Sequence, residues 1–257
     1  MTYEHILVTT DAGYTTITMN RPERRNALSL AHMRELTDAF KAAGRSDALG
    51  VIVAGNGPVF CAGHDFSDMT GAGLAKMRSL LAQCTEMLNA MQEIPQVVIA
   101  RVHGLAAAAG CQLVATSDLA VAADTAGFSI PGGRGGWFCH TPLVAVARNI
   151  GRKRALEMAF TGDVISAATA AEWGLVNRVV PAADLEKRTL ELLSRATRGS
   201  AFAKGIGKQC FYAQIDLDQA KAYRHAIEVM ASTSQTDDGQ ESMNSFLEKR
   251  SPRFTNR

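Results

Sequence analysis

The stretch GLAAAAGCQLVATSDLAVAAD, residues 104–124, decides how this chain is read. It follows PQVVIARVH (95–103), a branched apolar run that reads as a buried strand. Glycine and alanine crowd the opening of the stretch, and Gln112 is the first polar side chain after them. Such small residues let another body approach the main chain. That body is either a packed neighbouring element or a ligand that takes unpaired N–H groups at a helix start. A helix is expected to begin near Ala106 and run to Thr116, with DLAVAAD (118–124) as the next strand.

A second stretch, GNGPVFCAGHDFSDM (55–69), closes another strand, GVIVAGNG, and then loses all periodicity. It offers exposed N–H groups after Ala62 and Gly63. Two loops, each following a strand, could aim one amide apiece at a single oxygen. That is the geometry of an oxyanion hole, in which one donor is typically worth about 10²–10³ in rate.

Outward from these two stretches the pattern is regular. HILVTT and YTTITMN flank DAG and read as a hairpin. Ser29 caps a helix over 30–43, with Met33, Leu36 and Phe40 on one face. A second helix is expected over 74–92, its Met77, Leu80, Leu81, Cys84, Met87, Leu88 and Met91 forming a core stripe. AGFSIP (126–131) and LVNRVVP (175–181) read as strands, and 143–149, 153–160 and 167–172 as helices. Strands alternate with helices to about residue 180, which predicts α/β architecture with parallel strands. Residues 1–195 form the expected core and 196–257 a helical C-terminal region, together one functional unit.

Composition excludes several classes. The chain has 257 residues, 47% hydrophobic and 20% charged, with a net charge of +2. That balance suits a single globular unit with a sizeable core, and makes no case for nucleic acid. The five cysteines are widely spaced and form no CxxC pair, which argues against a disulfide framework or a zinc site and for a reducing compartment. No apolar run approaches the roughly 18 residues of a membrane span, and MTYEHILVTTDAG alternates like a strand. A soluble cytoplasmic protein without a metal is the expectation.

Five segments together carry a resemblance. They are NRPERRNALS (20–29), the 55–69 loop, the 104–124 stretch, RALEMAFTGDVISAATAAEWGLVNRVVP (154–181) and FLEKRSPRF (246–254). In order and spacing the chain resembles the crotonase, or enoyl-CoA hydratase/isomerase, family. The resemblance implies a spiral of ββα turns with a helical C-terminal part that builds trimers or hexamers. It implies an acyl-CoA substrate, no further cofactor, and oxyanion donors at the N–H groups of His64 and Ala109. Coenzyme A contacts carry over to Arg24, Ala62, His64, Asp65, Phe66 and Lys249. Surface basic residues of this kind are also commonly just a solvated face, and Asp65 can equally serve to hold its loop by local hydrogen bonds.

The sequence departs from the family where proton transfer is done. The resemblance puts a glutamate at each of two positions, which here hold Gln112 and Gly132. A glutamine can hold water but cannot take its proton, and glycine does neither. A positioned acid or base is worth about 10²–10⁴, so ordinary hydration is expected to be weak. Cys139, with His140 beside it in GWFCHTP, falls where relatives in the family carry a working carboxylate farther along. Cys139 or His140 could serve as acid or base, or a Cys139 thiolate could attack the thioester as in a thioesterase. Cys139 could equally be a small buried hydrophobe. The His64 imidazole could shuttle a proton or simply face CoA or solvent. Trp137 and Phe138 could line an acyl pocket or fill core. A non-catalytic acyl-CoA-binding or assembly protein is the alternative from another class.

Overall fold

The computed structural model describes residues 2–256, so residues 1 and 257 lie outside it. The elements in chain order are β1 (Ile6–Asp11), β2 (Tyr14–Met19), α1 (Leu30–Gly44), β3 (Gly50–Gly55), α2 (Leu74–Glu93), β4 (Val97–Val102), β5 (Ala106–Ala107), α3 (Ala109–Thr116), β6 (Leu119–Ala123), β7 (Gly127–Ser129), α4 (His140–Ile150), α5 (Arg152–Thr161), β8 (Ile165–Ser166), α6 (Ala167–Trp173), β9 (Arg178–Val180), α7 (Leu185–Ala196), α8 (Ala201–Gln214), α9 (Gln219–Thr233) and α10 (Asp237–Leu247). Six strands form one sheet in the order β1-β2-β3-β4-β6-β9, and β5-β7-β8 form a second, short one. Every pairing from β2 to β9 in the large sheet is parallel, and only β1 runs antiparallel, to β2. This is the α/β architecture with parallel strands that the alternation of strands and helices predicts.

The hairpin turns on Ala12 and Gly13, with φ of +48° and +83°. Two successive left-handed residues make the tight turn whose twist matches the strands it joins. Helix α1 starts where Ser29 Oγ accepts the His32 N–H at 3.2 Å. The central strands are apolar on both faces because both are covered. Val51, Val53, Val98 and Ala100 pack into the main core with α1 and α2, while Ile52, Ile99 and Val121 meet Leu185 and Leu193 of α7.

One expected boundary moves. Ala106 and Ala107 do not open the helix but form β5, parallel to β7. The Ala107 N–H donates to the Cys61 carbonyl at 2.9 Å and the Ala108 N–H to Ser129 at 2.9 Å, so α3 begins only at Ala109. The two-residue β8 is a further element that no periodicity could reveal.

Helix α8 is tied to the sheet by polar groups. The Lys208 ammonium donates to the carbonyls of Met91 and Gln96 at 2.7 and 2.8 Å and pairs with Asp118 at 2.7 Å. Tyr212 donates to the other Asp118 oxygen at 2.7 Å. All three ammonium donors thus have acceptors, which a buried lysine requires.

Candidate active site

The 55–69 loop approaches the N-terminal loop as a fragment of parallel ladder. Leu28 N–H donates to the Gly63 carbonyl at 2.8 Å, and the Leu28 carbonyl accepts from Asp65 N–H at 3.1 Å. Peptide groups alternate in direction along such a ladder. The His64 N–H, lying between those two bonds, is therefore turned away from Leu28. The loop's curvature needs Gly63, whose φ is +95°. A Cβ there would come within 2.9 Å of Ala108 Cβ and 3.3 Å of the Ala109 nitrogen. The two loops are thus in contact at the residues that carry the candidate donors.

Across that contact the chain is strained. Ala108 has φ +49° and ψ −117°, a conformation that side-chain-bearing residues rarely adopt and that costs about 1–3 kcal/mol. It aims the start of α3 at the cavity. The first internal bond of α3 runs from Gln112 N–H to the Ala108 carbonyl at 3.0 Å, so the amides of Ala109, Gly110 and Cys111 have no helical acceptor. Gly110 has no room for a side chain because the Cys61 carbonyl occupies the place of its Cβ. The crowding of small residues in 104–110 therefore serves both contacts at once: a packed neighbouring loop and an open helix start.

Ala62, His64, Ala108 and Ala109 all line one cavity of about 700 Å³. Its wall also includes Arg24, Asp65, Phe66, Gly132, Trp137, Phe138, Cys139 and His140. Leu81, read in the sequence only as part of the α2 core stripe, and Thr141, whose carbonyl accepts from Gln112, also line it. Phe66 and Trp137 meet edge to face at 6.3 Å, both partly exposed.

Gln112, 6% exposed, donates from Nε2 to the Thr141 carbonyl at 3.0 Å, and its buried Oε1 has no partner among the described residues. Burial pushes the His64 imidazole pKa down, partly countered by an interaction with the Leu28 backbone. Burial pushes the Cys139 thiol up, partly countered by a hydrogen bond with the Gly132 backbone. His140 is exposed as the first residue of α4, its ring 5.3 Å from Phe138. Gly132 is not merely an absent side chain: a Cβ there would strike the Trp137 carbonyl and lie 2.6 Å from Cys139 Sγ.

Asp65 is buried and accepts from Ser67 N–H and Oγ at 3.1 and 2.6 Å. It also pairs with Arg21 and Arg24, each at 3.2 Å. Burial raises its pKa, but the Ser67 and Arg21 hydrogen bonds and the Arg24 charge outweigh it and hold the carboxyl at about 2. Arg24 is half-exposed on the cavity rim, with one guanidinium edge taken by Asp65 and Ser67. Lys249 does not join it: it follows α10 in a left-handed conformation and is not part of the cavity wall. No group of three or more His, Cys, Asp or Glu among the described residues has metal-binding geometry.

The fold and the cavity define the class, and comparison with known proteins agrees. The enoyl-CoA hydratase/isomerase family profile matches residues 9–257, and the chain belongs to that family, an enzyme of the crotonase superfamily. It is 41% identical over 242 residues to human enoyl-CoA hydratase domain-containing protein 3, mitochondrial, covering 93% of this chain and 80% of the relative. A crystal structure of that human protein superposes with a TM-score of 0.93 at 38% identity, covering 98% of this chain and all of the other. An enoyl-CoA hydratase from Mycobacterium smegmatis gives a TM-score of 0.94 at 42% identity over 97% and 98% of the two chains. The human relative's name places that protein in mitochondria.

Proposed function

We propose that the cavity binds an acyl-CoA thioester and stabilises its enolate with the main-chain amides of His64 and Ala109. The observation that carries this is the pair of unengaged amides, on two loops in contact, at one apolar cavity. Such donors act on charge as it develops, at a site where little water competes. The acyl chain would lie against Leu81, Trp137 and Phe138, and the CoA phosphates would meet the rim at Arg24. Lys249 could reach a CoA only on a neighbouring copy, which fits a trimer or a pair of trimers built on the exposed apolar residues of α9 and α10.

Hydration of an enoyl thioester is expected to be weak, because the two positions where the family resemblance puts a glutamate hold Gln112 and Gly132. Titration with butyryl-CoA should show saturable binding, while crotonyl-CoA should turn over far below ordinary hydratase rates. Fast crotonyl-CoA hydration would overturn the reading of Gln112 and Gly132. Binding without any reaction across a thioester panel would favour the non-catalytic alternative. Cytoplasmic residence is kept as a proposal, checked by fractionating the source cells.

A further inference from the structure

We infer that the face of the large sheet opposite α1 and α2 carries a second binding site, for a small phosphate-bearing molecule, in the hollow between the edge strand β9 and helix α7. This hollow shares no residue with the cavity that holds His64 and Ala109, so the acyl-CoA reading is not needed for it.

The hollow has a volume of about 270 Å³. Ligand cavities run from about 300 to 1,000 Å³, so this one suits a phosphate group on a small body. Three arginines stand in its wall, Arg178 from β9 and Arg188 and Arg195 from α7. Register puts them there. Arg178 lies opposite Val121 and Val180 opposite Ala123, so both side chains fall on the sheet face that α7 covers. Arg188 and Arg195 sit two turns apart on one face of α7, with Glu191 and Leu192 between them. Val180 and Leu192, packed on the core beneath α7, supply the apolar part of the wall.

The charges of the wall do not cancel. Its one carboxylate, Glu191, pairs with Arg188 at 2.9 Å, and nearby Asp184 attracts the same arginine. Arg178 and Arg195 have no ion-pair or hydrogen-bond partner among the described residues. Arg101, on the same sheet face, is already taken by Glu186 at 3.3 Å. Charged side chains guard sheet edges against pairing, and Arg178 alone would do that. Two further arginines on the facing helix are not needed for it.

The open edge adds a neutral donor. β9 ends the sheet, and the Val180 carbonyl accepts from Asp124 N–H at 2.8 Å. Alternation along the ladder then turns the Val179 N–H outward, on a residue that borders the hollow. Guanidinium forks together with a main-chain N–H match the oxygens of a phosphate. An added peptide strand fits poorly, because β9 has only three residues and runs into Pro181.

The test titrates the full-length protein with pyrophosphate and with glycerol 3-phosphate at physiological salt, by calorimetry. Flotation with phosphatidylcholine vesicles, with and without phosphatidic acid, runs beside it. Saturable binding of a soluble anion with a Kd of about 1 mM or tighter is expected. Arg178→Gln and Arg195→Gln should each weaken it about tenfold, as loss of a charge-assisted bond does. Glu191→Gln, which releases Arg188, should tighten it about threefold, a gain that an arginine present only for structure would not show. Arg198→Gln, at an exposed position outside the wall, should change nothing. Binding only to phosphatidic acid vesicles, lost in the same two arginine variants, identifies a lipid headgroup as the source of the phosphate and upholds the site. No binding to either probe, or binding indifferent to Arg178 and Arg195, overturns it. Loss in Arg24→Gln instead would put the anion on the rim of the other cavity and overturn it too. Butyryl-CoA titration in parallel reports on that other cavity, so the two readings fail separately.

Discussion

Gly132 and Cys139 show how much one missing Cβ controls. The sulfur of Cys139 and the carbonyl of Trp137 fill the space where a side chain at 132 would start. Restoring an acid by Gly132→Glu should therefore not restore hydration. It should push the 132–139 segment outward and cost about 1–3 kcal/mol, as overpacking usually does, read as a lowered midpoint in denaturant. Ala108 makes the opposite case. Its φ of +49° suits glycine, so Ala108→Gly should relieve strain and leave stability unchanged or raised by about 1 kcal/mol after the entropy cost of glycine. Loosening the start of α3 should at the same time weaken catalysis more than binding, seen as a fall in kcat with KM little changed.

Among the elements, α1 carries a pH-sensitive joint. His32 is fully buried against the N-terminal loop, with Nδ1 3.1 Å from the Ala27 carbonyl and Nε2 unpaired among the described residues. Burial, the main cause, lowers its pKa from 6.5 to about 4, with nearby Arg21 and His5 acting in the same direction. The folded state therefore prefers the neutral ring. Its contribution to stability is complete above about pH 6.5 and is lost as pH falls towards 4. Thermal melts between pH 7 and 4 should show this decline, and His32→Leu should flatten it. Asp65 acts lower: its depressed pKa contributes stability above about pH 4 that disappears as pH falls to about 2. How far the elements were legible in the sequence follows from their length. The helices α1 and α2 and the hairpin announced themselves through periodicity, a Ser29 cap and a glycine turn. The two-residue strands β5 and β8 did not, because their pairing partners are set by tertiary contacts, β5 with Cys61 and Ser129 and β8 with Gly127 and Phe128. In the site, residue types and order marked His64, Ala109, Gln112 and Cys139. Nothing local could mark the Thr141 carbonyl that holds Gln112, the strain at Ala108, or the sulfur occupying the place of a side chain at 132.

At the scale of the whole molecule, the described chain leaves Tyr223, Ile227, Met230, Phe246 and Leu247 of α9 and α10 open, with Met230 77% and Phe246 81% exposed. An apolar surface of that kind calls for a protein partner, and a second copy of this chain is the expected one. Light scattering should report a trimer or hexamer, and Ile227→Glu with Phe246→Glu should reduce it to smaller species. A monomer in the unaltered protein would sink that expectation. The occupied space beside Gly132 also bounds what mutation can reach. A side chain at 132 needs the Trp137 carbonyl and the Cys139 sulfur to give way first, so a carboxylate there takes concerted changes and no single substitution supplies one.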